Sequence, residues 1–261
     1  VLGRRGAVAT SQPLAALAGM AVLLKGGSAV DAAIAMAACL TVVEPTSNGI
    51  GGDLFALVWD GTLHGLNASG KSPMALTPER LPGRMPERGW LPVTVPGAVS
   101  GWRALHERWG RLPFAEVLAP AIRYAEEGVF LPLEGPEFGP FKEVFFPGGR
   151  APRAGEVWRS PLHAKTLREI AESYGESLYR GALAEALLRF SEATGGLLTR
   201  EDLEAHAPEW VTPLSTEYKG LTVWELPPNG QGVAVLLALN LLERFDLRPE
   251  DPWGYHVPIE A

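Results

Sequence analysis

One predicted helix of this chain has no polar face. Ser28-Ala29-Val30-Asp31 has the pattern of a capping box, and the residues that follow, from Ala32 to Leu40, are all apolar. A helix that is apolar all round is stable in water only when other elements cover every side of it. We therefore expect a layered fold with this helix inside, and the segment from Gly232 to Leu242 leads to the same expectation.

The elements on either side of this helix are also predictable. The preceding helix begins at Pro13, where a missing N–H costs nothing, and ends at Gly26-Gly27. Four of its apolar residues share one side at helical spacing: Leu14, Leu17, Ala21 and Leu24. After the apolar helix, Leu54 to Asp60 and Thr62 to Leu66 flank the turn signal Asp60-Gly61 and predict a hairpin. The first of these strands is nearly all apolar, which predicts burial on both faces.

Later segments alternate predicted helices with a few strands. Helices are predicted over Gly97–Trp109, Pro113–Glu127, Pro161–Ser173 and Ala182–Thr194, and strands over Trp210–Glu217 and Leu221–Leu226. Residues 128–156 carry many Gly, Pro and Phe without periodicity and are expected to be irregular. A last helix from Pro252 stops at Ala261 without a cap, so we expect a single domain over residues 1–261 that is truncated at its C-terminal end.

Composition narrows the classes of function. The 261 residues carry a net charge of -7, which argues against nucleic acid as a partner because duplex binding needs clustered cations. No uncharged apolar run reaches transmembrane length, so no membrane partner is expected. No apolar stretch of signal-peptide length follows the first residues, which predicts a cytoplasmic location, although an exported mature chain would look the same. The single cysteine, Cys39, excludes an internal disulfide framework and is expected to be buried and inert.

One motif suggests a nucleotide. Gly65 to Ser72 fits the phosphate-loop pattern in full, but that pattern needs a helix that starts at Lys71-Ser72. Pro73 disfavours such a helix, so a nucleotide-binding module is a disfavoured alternative.

The histidines are dispersed and have no cysteine pair beside them, so no metal site is expected. Ser100 comes closest to a nucleophile, yet it lies at a helix start, which favours capping or packing.

A series of short blocks occurs in a fixed order along the chain. They are Gly26-Gly27-Ser28-Ala29-Val30-Asp31-Ala32-Ala33, Glu44-Pro45, Gly51-Gly52-Asp53-Leu54-Phe55, Val95-Pro96-Gly97-Ala98-Val99-Ser100-Gly101-Trp102, Gly195-Gly196-Leu197-Leu198-Thr199-Arg200-Glu201-Asp202-Leu203 and Leu226-Pro227-Pro228-Asn229-Gly230-Gln231-Gly232. Together they resemble the large-subunit region of the gamma-glutamyltransferase family, whose members are heterodimeric N-terminal-nucleophile (Ntn) hydrolases.

The resemblance implies an α/β (α+β) fold, the αββα four-layer sandwich of Ntn hydrolases, of which this chain supplies the large-subunit part with additional helices. It implies a precursor that cleaves itself and a small subunit whose N-terminal threonine is the nucleophile. Because this chain begins with Val1, we expect that small subunit as a partner and no catalytic residue here. The resemblance further implies a gamma-glutamyl or related acyl-amide substrate, an acyl-enzyme that water or an amine resolves, and no cofactor. It also allows a dimer of heterodimers.

In the family, a loop arginine after the hairpin binds the alpha-carboxylate of the substrate. Aligned on Pro73, that arginine falls at Ser69 and its acidic neighbour at Gly70. The cation of this loop, Lys71, is displaced by two residues, and a solvated surface lysine is the alternative for it. We predict a substrate-binding loop that lacks the carboxylate clamp. Its residues are Asn67, Ser69, Gly70 and Lys71. The sequences Asn67-Ala68-Ser69-Gly70 and Pro228-Asn229-Gly230-Gln231-Gly232 resemble the divergent branch that includes acylase-type enzymes such as cephalosporin acylases.

The missing clamp leaves a second function open. A relative that lost its nucleophile would act as a non-catalytic scaffold or binding protein. A junction of the type Asx/Gly-Thr-Thr downstream of Ala261 would favour the enzyme, and its absence would favour the scaffold.

Overall fold

The computed structural model describes residues 3–81, 83–130, 139–146, 148–248 and 250–261 of the chain. Val1, on which the expectation of a separate nucleophile subunit rests, lies outside the described residues. So do residues 131–138 and 147 of the segment that is predicted to be irregular.

The described residues form helices and short strands. The helices are α1 (Pro13–Leu24), α2 (Ala29–Val43), α3 (Ala98–Trp109), α4 (Phe114–Glu127), α5 (Gly139–Phe145), α6 (Pro161–Glu172), α7 (Ser177–Arg180), α8 (Ala182–Ala193), α9 (Arg200–Glu204), α10 (Gly232–Leu242) and α11 (Trp253–Glu260). The strands are β1 (Leu54–Trp59), β2 (Leu63–Ala68), β3 (Val129–Phe130), β4 (Val157–Trp158), β5 (Glu209–Val211), β6 (Leu214–Tyr218) and β7 (Leu221–Glu225). No described helix has both the length and the apolar character that crossing a lipid bilayer requires.

The chain divides into two compact units, and each unit contains two separate stretches of sequence. The first unit, which we call the helical unit, comprises Val1–Gly52 and Gly70–His206. The second, which we call the sheet unit, comprises Asp53–Ser69 and Ala207–Ala261. The single domain expected over residues 1–261 stays a prediction.

In the helical unit, α2 begins as its sequence predicts. The backbone N–H of Ser28 donates to Asp31 Oδ2 at 2.8 Å, and the backbone N–H of Asp31 donates to Ser28 Oγ at 3.0 Å, which completes the capping box. Asp31 Oδ2 also accepts the backbone N–H groups of Arg111 and Leu112, at 2.9 and 3.2 Å. One buried carboxylate therefore ties the start of α2 to the segment between α3 and α4.

The far end of α2 is held by a histidine of α6. Thr41 Oγ1 donates to the carbonyl of Ala38 at 2.7 Å, and His163 Nε2 lies 3.1 Å from the same oxygen. Since the single hydroxyl hydrogen of Thr41 is used on Ala38, His163 Nε2 is the donor in the second bond. Burial lowers the pKa of His163 to about 4, so this imidazole is neutral at pH 7.

The buried side of α1 differs from the leucine side that its sequence suggests. Leu17 and Leu24 are 59% and 79% exposed, whereas the residues that face the core are small: Ala15, Ala18, Gly19 and Val22. A Cβ on Gly19 would lie 2.7 Å from Met36 Cγ of α2. Small residues therefore occupy the buried side of α1, because they allow α1 and α2 to approach closely.

The segment predicted to be irregular contains regular structure. β3 pairs with β4 in an antiparallel ladder that joins Val129 to Trp158 and Phe130 to Val157. Helix α5 lies between these strands in the sequence. The prediction is wrong for β3 and α5, because a two-residue strand and a seven-residue helix are too short to show periodicity.

Three backbone hydrogen bonds hold the points at which the chain leaves and rejoins the helical unit. The carbonyl of Gly52 accepts the N–H groups of Gly97 and Ala98, at 2.9 and 2.8 Å, and the carbonyl of Lys71 accepts the N–H of Val95 at 3.0 Å. Both points are therefore fixed to one short stretch that leads into α3.

In the sheet unit, β1 and β2 form the predicted hairpin, with pairs from Leu54 and Ala68 to Trp59 and Leu63. β2 is the central strand, because its other edge pairs with β5. β6 and β7 form a second hairpin, on which α10 packs. The single strand predicted over Trp210–Glu217 is wrong, since Pro213, which has no N–H for a ladder, separates β5 from β6.

The apolar elements of the sheet unit are only partly covered. Every second residue of β1 is exposed: Phe55 by 45%, Leu57 by 42% and Trp59 by 72%. Leu237 and Leu241 of α10 are 59% and 51% exposed. The predicted burial of both faces of β1 and of every side of α10 is therefore wrong within this chain, because its described residues leave one side of each open.

Candidate substrate-binding site

The predicted loop starts at a buried amide. Asn67 lies in β2, paired with Phe55 on one edge and Glu209 on the other, and only 8% of the residue is exposed. Its Oδ1 accepts the backbone N–H of Ser69 at 3.0 Å and the hydroxyl of Ser69 at 2.7 Å. The two bonds close a turn in which Asn67 fixes the conformation of Ser69.

The other end of this amide reaches a loop far along the sequence. Asn67 Nδ2 donates to Asn229 Oδ1 at 2.8 Å. Asn229 lies between β7 and α10 and is exposed. Sequence reasoning missed it as a site residue, because nothing in the spacing relates two residues that are 162 positions apart. The only local signal is that Asn229 belongs to one of the family blocks.

Gly70 belongs to the helical unit, and its backbone lies against Val95. A Cβ built on Gly70 would lie 1.6 Å from the carbonyl oxygen of Val95, far inside any real contact distance. No side chain fits at position 70 unless that backbone moves. The acidic neighbour of the family's arginine therefore has no counterpart here, and a single substitution cannot restore it.

Lys71 also belongs to the helical unit, and it is exposed. Its carbonyl is held by Val95, as described above, while its side chain is open to solvent. The structure thus brings Asn67 and Ser69 together with Asn229. Gly70 and Lys71 are placed by a different set of contacts, those with Val95.

The phosphate-loop alternative fails on geometry. Gly65 lies inside β2, where it pairs with Leu57 and Val211. Residues 69–77 form no helix, and the next helical turn is a three-residue 3-10 segment, Pro78–Arg80. The backbone N–H groups of a helix start, which a phosphate loop needs, are therefore not present at Lys71-Ser72.

Ser100 takes the packing role that its context favours. Its Oγ donates to the carbonyl of Gly97 at 2.7 Å, and its backbone N–H donates to Tyr179 Oη at 3.0 Å. His206 Nε2 lies 2.9 Å from Ser100 Oγ. Because Gly97 already takes the hydroxyl hydrogen, His206 is a donor to this serine and not its base.

The remaining candidates for reactivity are Cys39 and the side chains of metal-ligating type. Cys39 is fully buried, and this burial raises the pKa of its thiol to about 12, so it stays protonated and unreactive. Among the described residues, no group of three or more His, Cys, Asp or Glu side chains is arranged to hold a metal ion.

The order of the blocks along the chain points to one family, and comparison with known proteins identifies it. The family model described as gamma-glutamyltranspeptidase matches residues 15–261. This chain belongs to the gamma-glutamyltranspeptidase family.

Two curated relatives illustrate the relationship. The chain is 36% identical over 283 residues to the glutathione hydrolase-like YwrD proenzyme of Bacillus subtilis, covering all of this chain and 54% of the relative. It is 37% identical over 270 residues to the oxamate amidohydrolase proenzyme of Klebsiella pneumoniae, covering 95% of this chain and 51% of the relative. The chain therefore spans about half the length of these relatives.

Solved structures confirm the predicted fold class. Cephalosporin acylase from Bacillus halodurans matches with a TM-score of 0.90 and 50% identity, over 98% of this chain and 54% of that one. Gamma-glutamyltranspeptidase from Helicobacter pylori matches with a TM-score of 0.90 and 28% identity, over all of this chain and 82% of that one. The mixed helix and sheet fold is that of Ntn hydrolases, and the acylase match fits the predicted divergent branch.

Proposed function

We propose that this chain is the large-subunit part of an autoprocessed amidohydrolase or acyltransferase. In this proposal, a small subunit carries an N-terminal threonine that attacks an acyl amide, and water or an amine takes the acyl group from the resulting acyl-enzyme. The observation that carries the proposal is the match of the family model to nearly the whole chain. The relatives' names support it, since both are proenzymes and the chain spans about half of each.

The residues at positions 69 and 70 restrict the class of acyl donor that we propose. A gamma-glutamyl group carries an alpha-carboxylate and an alpha-ammonium group. Ser69 stands where the resemblance puts the arginine for the first, and Gly70, which has no room for a side chain, stands where it puts the acid. We therefore propose an acyl donor without that zwitterion, in line with the 50% identity to a cephalosporin acylase.

Processing is the first test. The full-length protein should yield two fragments in equal amount, and the smaller fragment should start with threonine. Intact mass and N-terminal sequencing measure both. A protein that stays uncleaved, or a small fragment that starts with a residue other than Thr, Ser or Cys, would overturn the mechanism and favour the non-catalytic scaffold.

The loop is tested by Ser69→Arg in the processed protein. A charged hydrogen bond is worth about 1.5–3 kcal/mol, so kcat/KM on gamma-glutamyl p-nitroanilide should rise roughly tenfold or more. Lys71→Ala is the companion variant, because Lys71 offers a looser, single-point anchor. If neither change alters activity on any acyl anilide, the loop does not line the site.

The cytoplasmic location and the dimer of heterodimers stay predictions.

A further inference from the structure

The three side chains Asn67, Ser69 and Asn229 form a hydrogen-bond relay with a fixed direction. The backbone N–H of Ser69 can only donate, so the atom of Asn67 that lies 3.0 Å from it must be oxygen. The other end of that amide is then NH2, which can only donate. The atom of Asn229 that lies 2.8 Å from it must therefore be oxygen as well.

This direction decides what Asn229 offers to solvent. With its Oδ1 occupied by Asn67, the amide of Asn229 is oriented with its Nδ2 away from the relay. That nitrogen has no hydrogen-bond partner among the described residues of the sheet unit, and Asn229 is exposed. Two N–H donors are thus presented in a fixed orientation by an exposed residue whose anchor, Asn67, is over nine-tenths buried.

We propose that Asn229 is a substrate-contacting, specificity-determining residue, whose amide N–H groups bind an oxygen acceptor at the distal end of the acyl donor. A carboxylate or carbonyl oxygen is the chemical class that two N–H donors recognise. Asn67 is the positioning residue, since it fixes the orientation of Asn229 without itself being exposed. This inference rests on the proposed function, because it assumes that the protein cleaves an acyl amide.

A single substitution can reverse the direction of the hydrogen bond between residues 67 and 229 without breaking it. In Asn67→Asp, the carboxylate still accepts both donors of Ser69, but its other oxygen can only accept, so Asn229 must turn and donate its Nδ2. The group presented to solvent then becomes the carbonyl oxygen of Asn229. In Asn229→Asp, the donors are replaced directly, since the new carboxylate accepts from Asn67 and presents a second acceptor outward.

The matched control is Asn240→Asp on α10 of the same unit. Asn240 Oδ1 accepts a hydrogen bond from Thr216 Oγ1, and a carboxylate accepts the same bond. Asn240→Asp therefore adds the same charge and the same atoms at an exposed position outside the relay.

Three p-nitroanilides with the same scissile amide bond serve as substrates for the processed full-length protein. Glutaryl p-nitroanilide has a distal carboxylate, its methyl ester has the acceptor oxygens without the charge, and valeryl p-nitroanilide has an apolar chain end. Loss of a charged hydrogen bond should lower kcat/KM on the glutaryl probe about tenfold to a hundredfold in both relay variants, chiefly through KM. The ester should lose activity in the same variants, whereas Asn240→Asp should match the wild type on every probe.

The valeryl probe reports whether each variant is folded and processed, because it makes no distal hydrogen bond. Its rate should stay within about threefold of the wild type. If the wild-type protein cleaves the glutaryl probe and both relay variants keep its ratio of glutaryl to valeryl activity, the inference about Asn229 is overturned and the proposed function is not. Activity lost equally on all three probes would assign Asn67 and Asn229 a structural role and overturn it too. Wild-type protein that cleaves none of the anilides would overturn the proposed function and this inference with it.

Discussion

Helices α2 and α10 have the same kind of sequence and opposite surroundings. In α2, nine of 15 residues are buried, whereas in α10 only Gly232 and Leu236 of 11 are buried. Within the helical unit α2 packs against α1, α3 and α4, while in the sheet unit α10 packs against β6 and β7 and exposes Leu237 and Leu241. The apolar composition of a helix therefore predicts that its sides are buried, but it does not predict which chain buries them.

The exposed side of α10 and the exposed row of β1 are therefore informative. Single exposed apolar residues are ordinary, but an open helix side and an open strand face each mark a surface for another part of a protein. Under the proposed function, we expect the small subunit to cover both surfaces. Four predictions test the contrast between the two units.

The largest effect is expected from placing a carboxylate in each helix. Ala35 of α2 is fully buried, so Ala35→Asp should destabilise residues 1–261 by about 3–5 kcal/mol and abolish soluble, folded protein. Leu237→Asp on α10 should instead keep the fold and reduce self-association and binding of a hydrophobic dye. Soluble yield, size-exclusion chromatography and dye fluorescence measure these effects.

The same α10 variant should behave differently in the full-length precursor. There Leu237→Asp places a charge where we expect the small subunit, so processing or subunit assembly should fail. Normal assembly of this variant would show that the exposed side of α10 is not an interface, and a soluble, native-like Ala35→Asp chain would show that α2 is not enclosed.

The second prediction is a pH dependence that belongs to the helical unit. His163, which holds the end of α2, has a pKa of about 4 in the folded state, below its ordinary value of 6.5. The unfolded chain therefore binds a proton more readily. The contribution to stability is complete above about pH 6.5 and is lost as pH falls to about 4, by about 2–3 kcal/mol.

Hydrogen exchange of α2 amides between pH 7 and pH 4 measures this loss, with rates corrected for intrinsic exchange. The control is His163→Gln, which can still hydrogen-bond to Thr41 but does not titrate. Equal pH dependence in the two proteins would show that His163 is not the group responsible.

The third prediction compares a glycine from each unit. Gly70→Ala should cost about 1–3 kcal/mol, because the new Cβ meets the carbonyl of Val95 and that backbone must move. A Cβ on Gly230 has no atom within 4 Å, so Gly230→Ala should leave stability within about 0.5 kcal/mol. Thermal unfolding of the full-length protein tests the pair, and equal melting temperatures would contradict the close approach at Gly70.

The smallest effect is expected at the helix starts. Ser28→Ala removes the side-chain cap of α2 and should cost about 1 kcal/mol. Gln231 makes no side-chain cap bond at the start of α10, so Gln231→Ala should have almost no effect on stability. Urea denaturation resolves this difference, and a larger cost at Gln231 than at Ser28 would reverse the assignment of the caps.

Local signals predicted the elements well. The capping box at Ser28 and the hairpin turn at Asp60-Gly61 both occur where the sequence places them. Each depends on residues within three or four positions, so neighbouring side chains suffice to specify it.

Faces and long-range links were not predictable in the same way. Leucine spacing in α1 suggested the wrong side, because the decisive factor was the close approach that Gly19 permits. The loop at Asn67 and Ser69 was predicted through the family resemblance, yet its bond to Asn229 joins β2 to a loop that follows a strand of a separate sheet, β6-β7. A single sequence has no local pattern that records such a juxtaposition.

The stretch that leaves the helical unit at Gly52 and returns at Gly70 has a consequence for biosynthesis. Its hairpin emerges from the ribosome about 140 residues before β5, the strand that β2 needs on its second edge. At ~5–20 residues per second, the hairpin waits roughly 7–30 s for its partner. During that time the bonds from Gly52 and Lys71 to residues 95–98 can form first, so the nascent hairpin is anchored at both ends while its open edge is still at risk of pairing with another chain.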